Sequence, residues 1–115
     1  MHNVGIDIIE IERIQKSITT LGQRFLDRIF TPNEQDYCKS RVECYAARFA
    51  AKEAVIKVLE TPIAMNKIEV VKKESGAVKI HILDPKYEQY SELISLSISH
   101  SKIQATAIAM LITSD

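Results

Sequence analysis

The sequence predicts an α+β fold in which a mostly antiparallel sheet packs on one long helix. Three observations carry this. An Ala-rich stretch from about Val42 to Glu60 is helical throughout, and Thr61-Pro62 stops it. Residues 66–73 and 77–83 alternate like paired strands, and so do 93–99 and 103–112, each pair closed by a short connection. The chain has 115 residues, 46% of them hydrophobic and 26% charged, which suits a single globular domain with one core.

The elements follow in order. Residues 3–11 (NVGIDIIEI) are short, apolar and β-branched, hence a strand. Residues 12–29 read as helix with a break at Gly22. Thr31-Pro32-Asn33-Glu34 starts the next helix: Thr31 caps, Pro32 fits the first helical position, and Glu34 completes a capping box. That helix ends near Ser40, and the long helix follows. Glu74-Ser75-Gly76 is the turn of the first hairpin. Residues 84–92 are polar, with one or two helical turns. Along 93–99, Ile94, Leu96 and Ile98 face inward while Ser95, Ser97 and Ser99 face outward. His100-Ser101-Lys102 connects to 103–112, which is apolar on both faces, more than a monomer of this size easily covers. No repeat, low-complexity segment or linker divides the chain, so 1–115 is expected to be one domain.

Net charge is zero, from 15 Lys plus Arg against 15 Asp plus Glu, which argues against bulk nucleic-acid binding. All five arginines (Arg13, Arg24, Arg28, Arg41 and Arg48) precede position 49. The guanidinium fork suits phosphate and carboxylate, so an anionic partner is sought in the first half; chance clustering on solvated helices is the competing reading. No apolar run approaches the ~20 residues that span a bilayer. The N-terminus lacks the basic-then-apolar pattern of a signal peptide. A cytoplasmic protein is expected, with Cys38 and Cys44 as reduced structural thiols.

Two carboxylates stand where they should be unfavourable. On a helical wheel Glu53 falls in the stripe Val42, Tyr45, Ala46, Phe49 and Ile56; an ion pair with Lys57 is the structural alternative. Asp7 interrupts Val4-Gly5-Ile6-Asp7-Ile8-Ile9, and Gly5 beside it leaves room for a ligand. Two carboxylates without Cys or His ligands suit a hard cation such as Mg²⁺, completed by waters and substrate phosphates. Arg48, Lys52 and Lys57 flank Glu53, which favours phosphate chemistry, although Lys52 by itself reads as solvated. His100, at a strand end, is better placed to touch a phosphate than to form a Ser–His nucleophile, since no nucleophile-elbow motif accompanies it. His81, on an outer face, and His2 are bystanders. Arg24 and Arg28, four apart on one helix face, with Arg13 and Lys16 upstream, suit docking of an acidic partner. No P-loop or dinucleotide fingerprint is present.

Four motifs together resemble one family: V-G-I-D-I-I-E-I-E-R-I at 4–14, R-I-F-T-P-N-E at 28–34, A-A-R-F-A-A-K-E-A at 46–54 and S-I-S-H-S at 97–101. In order and spacing they are similar to the holo-[acyl-carrier-protein] synthases, the small single-domain 4′-phosphopantetheinyl transferases. The resemblance covers nearly the whole chain. It implies that family's fold and its reaction, Mg²⁺-dependent transfer of phosphopantetheine from coenzyme A to a serine of apo acyl-carrier protein, releasing adenosine 3′,5′-bisphosphate for fatty acid biosynthesis. It implies that Asp7 and Glu53 hold the metal, and that Glu53 or a water it orients takes the serine proton. Arg48, Lys57 and His100 align with positions near the coenzyme A phosphates. Lys39 and Arg41 align more loosely with contacts to the 3′-phosphate. Arg13, Arg24 and Arg28 fall where the carrier protein docks. A homotrimer with sites between neighbouring subunits is implied as well.

The chain departs from the family in two places. Glu60-Thr61-Pro62 stands where Gly-Thr-Gly is usual, and the link between the Thr31 helix and the long helix is short. Both lie near the coenzyme A site, so nucleotide contacts follow less directly than metal ligands. A non-catalytic carrier-protein-binding module of the same fold, or a metal-dependent phosphohydrolase, are the alternatives.

Overall fold

The long helix is the axis on which the rest is assembled. The computed structural model describes residues 3–112, so His2 lies outside the described residues. Strand β1 (Val4–Glu10) runs into helix α1 (Ile11–Leu21). Gly22, at φ 59°, separates α1 from α2 (Gln23–Ile29), which is the expected break. Helix α3 (Pro32–Cys38) carries the full capping box: Thr31 Oγ1 accepts from the Glu34 amide, and the Glu34 carboxylate accepts from the Thr31 amide. Helix α4 (Val42–Leu59) follows, then a single 3₁₀ turn (Met65–Lys67) and strands β2 (Ile68–Lys72) and β3 (Val78–Ile82). A second 3₁₀ turn (Glu88–Leu93) leads to β4 (Ile94–His100) and β5 (Gln104–Leu111).

The strands form two antiparallel sheets among the described residues. One has the order β1-β5-β4, and β2-β3 is a separate two-stranded ribbon. β5, apolar on both faces in sequence, is the central strand. Its inner row, Ala105, Ala107 and Ala109, is buried, and small residues on α4 (Ala46, Ala47, Ala50, Ala51 and Ala54) are buried too. Short side chains on both elements let helix and sheet approach closely. Beyond this layer, Phe25 packs edge-to-face on Phe30 and Phe30 packs tilted against Tyr45, at centroid distances of 6.1 and 4.8 Å.

Gly5 is the closest point of that approach. A Cβ there would lie 2.4 Å from the Ala54 carbonyl oxygen, 3.0 Å from Val58 Cγ2 and 3.2 Å from Lys57 Cβ. The room beside Asp7 is thus filled by α4 backbone and does not await a ligand, contrary to the sequence reading. Gly5→Ala is expected to destabilise the fold by about 1–3 kcal/mol, because a helix carbonyl cannot swing aside as a side-chain tip can. A urea melt with an unshifted midpoint would contradict this packing.

Three other expectations are corrected. The wheel stripe of α4 is not its core face: Tyr45 and Ala46 are buried, but Val42, Phe49, Glu53 and Ile56 are only partly so. A second stripe, Arg48, Lys52, Val55 and Leu59, is buried instead, since the helix has neighbours on several sides. Lys52 is therefore not solvated. Cys38 and Cys44 form a disulfide, with Cα atoms 5.4 Å apart, and are not reduced thiols. Cys38 ends α3 and Cys44 lies in the first turn of α4, so the three-residue link folds two buried sulfurs onto each other.

Both departures from the family pattern fall at left-handed residues. Glu60 caps α4 at φ 52° and ψ 40°, the conformation that glycine adopts most readily. Lys39 closes α3 at φ 56°.

Candidate functional site

Asp7 and Glu53 sit on the seam between β1 and α4. The Asp7 side chain is 16% exposed, and Lys57 Nζ donates to its Oδ1 at 3.2 Å and to the Ile6 carbonyl at 2.8 Å. Lys57 thus pairs with Asp7 and not with Glu53. Glu53 precedes Lys57 by one turn on the same face of α4 and is half-buried at the helix edge. Among the described residues no group of three or more His, Cys, Asp or Glu side chains is placed to hold a metal ion. Two carboxylates nonetheless suit Mg²⁺, which keeps waters and substrate phosphates in its shell. Asp7 is engaged by Lys57 in this structure, so the fit rests on the hard oxygen chemistry of the Asp7 and Glu53 carboxylates.

A basic cleft of about 320 Å³ lies elsewhere. Tyr37, Arg41, Arg48, Lys72 and His100 line it together with Glu43, Cys44 and Gly76. Three expected anion-binding residues, Arg41, Arg48 and His100, therefore meet in one place. Arg48 is 4% exposed, and its Nη1 donates to Cys44 Sγ at 3.2 Å. Burial lowers the Arg48 pKa, with Glu34 and Tyr37 opposing and Arg41 adding to the shift. Arg41 is pinned at the C-terminus of α3, where Nη2 donates to the Tyr37 carbonyl and Nε to the Cys38 carbonyl at 3.2 Å. His100 Nδ1 lies 3.2 Å from the Ser101 carbonyl oxygen. Lys39 is exposed and does not line the cleft; its carbonyl accepts from Tyr45 Oη at 2.7 Å. Neither do Asp7, Glu53 or Lys57 line it. Glu53 is five residues after Arg48, which turns its side chain about 140° around the helix. The expected site is thus divided into an acidic seam and a basic cleft.

Lys52 belongs to neither half. Its Nζ donates to Glu34 Oε1 and the Ile29 carbonyl, both at 2.6 Å, and to the Met65 carbonyl at 3.0 Å. Glu34 Oε2 accepts the Val70 amide at 2.8 Å, and Thr31 Oγ1 donates to Glu69 Oε2 at 2.6 Å. The capping box of α3 is thereby tied to α4 and β2. Burial lowers the Lys52 pKa, while Glu34 opposes the shift. The spacing of Arg48, Lys52, Val55 and Leu59 was the available signal for this buried face. Lys72 and Tyr37 were missed altogether. They belong to a strand and a short helix whose meeting depends on tertiary packing.

Arg24 and Arg28 of α2 are exposed and line a groove of about 400 Å³ with Leu21, Phe25 and Asp27; Arg13 is exposed on α1. His81 is exposed opposite Glu69 on the β2-β3 ribbon.

Residues 3–109 match the model of the 4′-phosphopantetheinyl transferase superfamily. The chain is 40% identical to a holo-[acyl-carrier-protein] synthase of Ruminiclostridium cellulolyticum, covering 97% of this chain and 92% of that protein. It is 44% identical to one of Chlamydia trachomatis, covering 96% and 98%. Among solved structures, the Helicobacter pylori holo-[acyl-carrier-protein] synthase in complex with coenzyme A superposes with a TM-score of 0.84 at 32% identity, covering 94% of this chain and 98% of that one. The Bacillus anthracis enzyme in complex with CoA (3′,5′-ADP) gives 0.80 at 37%, covering 97% and 96%. With the family model matched across nearly its whole length and relatives at this identity, the chain belongs to the holo-[acyl-carrier-protein] synthases of the 4′-phosphopantetheinyl transferase superfamily.

Proposed function

We propose that this chain transfers 4′-phosphopantetheine from coenzyme A to a serine of apo acyl-carrier protein at a site completed by two copies of the chain. The observation that carries the reading is the division of the matched residues: Asp7, Glu53 and Lys57 on one seam, Arg41, Arg48 and His100 in a separate cleft. A second copy that places its basic cleft against the acidic seam supplies the missing half. The outer face of the β1-β5-β4 sheet favours such an assembly. Ile6 and Ile8 are 62% and 60% exposed, and Ile6 lies opposite Ile108 in register. An apolar face of this kind is rarely left open to water. A homotrimer is the assembly we adopt, and a cytoplasmic setting goes with its substrates.

In this reading Asp7 and Glu53 hold Mg²⁺, with Lys57 beside Asp7. A Mg²⁺ held by these two carboxylates would supply charge neutralisation to the breaking pyrophosphate. The serine oxygen attacks the phosphorus that carries pantetheine, Glu53 accepts the serine proton, and the bond from that phosphorus to the bridging oxygen breaks. Adenosine 3′,5′-bisphosphate leaves with the bond's electron pair. Arg41, Arg48 and His100 bind the nucleotide phosphates. Lys39, exposed at the α3 end, adds to the basic approach without reaching the cleft lining.

Intact-mass spectrometry of apo carrier protein, incubated with coenzyme A and Mg²⁺, tests the reading. Transfer adds one phosphopantetheine mass to the carrier. Consumption of coenzyme A without modification would point to a phosphohydrolase, and no reaction at all to a binding module.

Arg13, Arg24 and Arg28 form the surface proposed to receive the acidic carrier protein. Arg24→Glu is expected to raise the KM for carrier protein by about tenfold and to leave that for coenzyme A nearly unchanged, because rim charges act mainly on encounter. Salt should weaken wild-type docking in the same direction, since exposed charges are screened over about 8–10 Å. If neither constant responds to the substitution or to salt, these arginines merely solvate the helices.

A further inference from the structure

We infer that Lys57 is a positioning residue that keeps the acidic seam closed to metal until a substrate arrives: its ammonium occupies Asp7, competes there with a divalent cation, and leaves when a pyrophosphate draws it away. This rests on the proposed use of coenzyme A, and it makes tight metal binding depend on a phosphate-bearing ligand.

Lys57 lies in the last turn of α4, where the helix meets β1 at its closest point. The approach at Gly5 sets the Lys57 Cβ against the strand, and the side chain reaches the next two residues of β1. Its Nζ is held twice, by the Ile6 carbonyl at 2.8 Å and by Asp7 Oδ1 at 3.2 Å. The main-chain contact fixes the ammonium in one place, which an ion pair between two free surface side chains lacks. Glu53 stands one turn earlier on the same face of α4. The ammonium therefore lies on the seam shared by both carboxylates of the proposed metal site.

The two partners differ in freedom. The Asp7 side chain is largely buried, on a strand paired with β5 along its whole length, and its carbonyl accepts from Thr106 Oγ1 at 2.9 Å. Its carboxylate is thus carried on a fixed backbone. The Lys57 side chain is 51% exposed and has a flexible four-carbon stem, so the lysine is the partner that moves. An ammonium 3.2 Å from Oδ1 and a divalent ion on the same carboxylate repel each other. Two protein carboxylates offset little of that repulsion. A pyrophosphate adds two negative charges: it offers the lysine charge-assisted acceptors away from Asp7 and offers the ion further oxygens. Both cations are then accommodated.

Titration of the nucleotide-free protein with Mn²⁺, followed by the electron paramagnetic resonance of the free ion, tests this without reference to turnover. Mn²⁺ takes the same oxygen donors as Mg²⁺. Lys57→Met and Lys57→Gln are each expected to bind Mn²⁺ about tenfold more tightly than the wild type, the order of a nearby like charge removed at a partly exposed site. Lys57→Arg keeps the charge and should bind as weakly as the wild type. Saturating coenzyme A, corrected for the Mn²⁺ it binds by itself, should tighten binding by a larger factor in the wild type than in Lys57→Met, because only the wild type has an ammonium to release. Unchanged or weaker Mn²⁺ binding by both neutral variants, or an equal effect of coenzyme A in wild type and Lys57→Met, would overturn the inference. Lys57 would then be a clamp between β1 and α4, and the functional reading would stand. A wild type that binds no Mn²⁺ even with coenzyme A present would overturn the inference and the functional reading beneath it.

Discussion

Replacing Lys52 with methionine should destabilise the protein by about 3–5 kcal/mol, the effect of removing one partner of a fully buried ion pair. Lys52 and Glu34 are 0% and 1% exposed. The ammonium satisfies all three of its donors, on Glu34 and on the carbonyls of Ile29 and Met65. Without it, Glu34 is left as a buried charge held only by amides. Glu34→Gln added to Lys52→Met should recover part of the loss, because the uncompensated charge is then gone. Urea unfolding of the three variants checks this. A loss below about 1 kcal/mol for Lys52→Met would mean the pair behaves as a surface salt bridge.

Asp7→Asn and Glu53→Gln should each lower transfer by about 10²–10⁴-fold, the range typical of a lost proton acceptor or charge-stabilising group. Neither should unfold the chain. Asp7 pairs with a half-exposed lysine, and such pairs contribute at most about 1 kcal/mol. The two readouts therefore separate chemistry from folding. Wild-type transfer rates in either variant would remove that residue from the proposed metal site.

Elements were legible in the sequence wherever a local signal was strong. The capping box at Thr31 and Glu34, the break at Gly22 and the alternation of Ile94, Leu96 and Ile98 all appear as read. Asp7 was singled out because a carboxylate in an apolar strand stands out, and its side chain lies largely buried beside Lys57 of α4. Glu53 was singled out for a reason that did not hold, since its stripe is the edge of α4 and not its core face. A helix surrounded by neighbours has no single apolar stripe, so the wheel could not choose between the faces of Glu53 and Lys52. Gly5 was noticed, but whether its open space faces a ligand or a helix depends on tertiary packing. The disulfide was likewise invisible, because six residues of separation say nothing about two helices folding back on each other. Tyr37 and Lys72 come together only once α3, α4 and β2 are assembled.

In the proposed assembly the acidic seam and the basic cleft act together from different copies of the chain. Mixing inactive Asp7→Asn subunits with inactive Arg48→Ala subunits, after dissociation and reassembly, tests it most directly. In a closed ring assembled at random from equal amounts, about a quarter of the interfaces join an intact seam to an intact cleft, whatever the ring size. Transfer should therefore reappear at about a quarter of the wild-type rate per subunit, with each variant inactive by itself. A reassembled mixture that stays as inactive as its components would place the whole site within one chain and contradict the account.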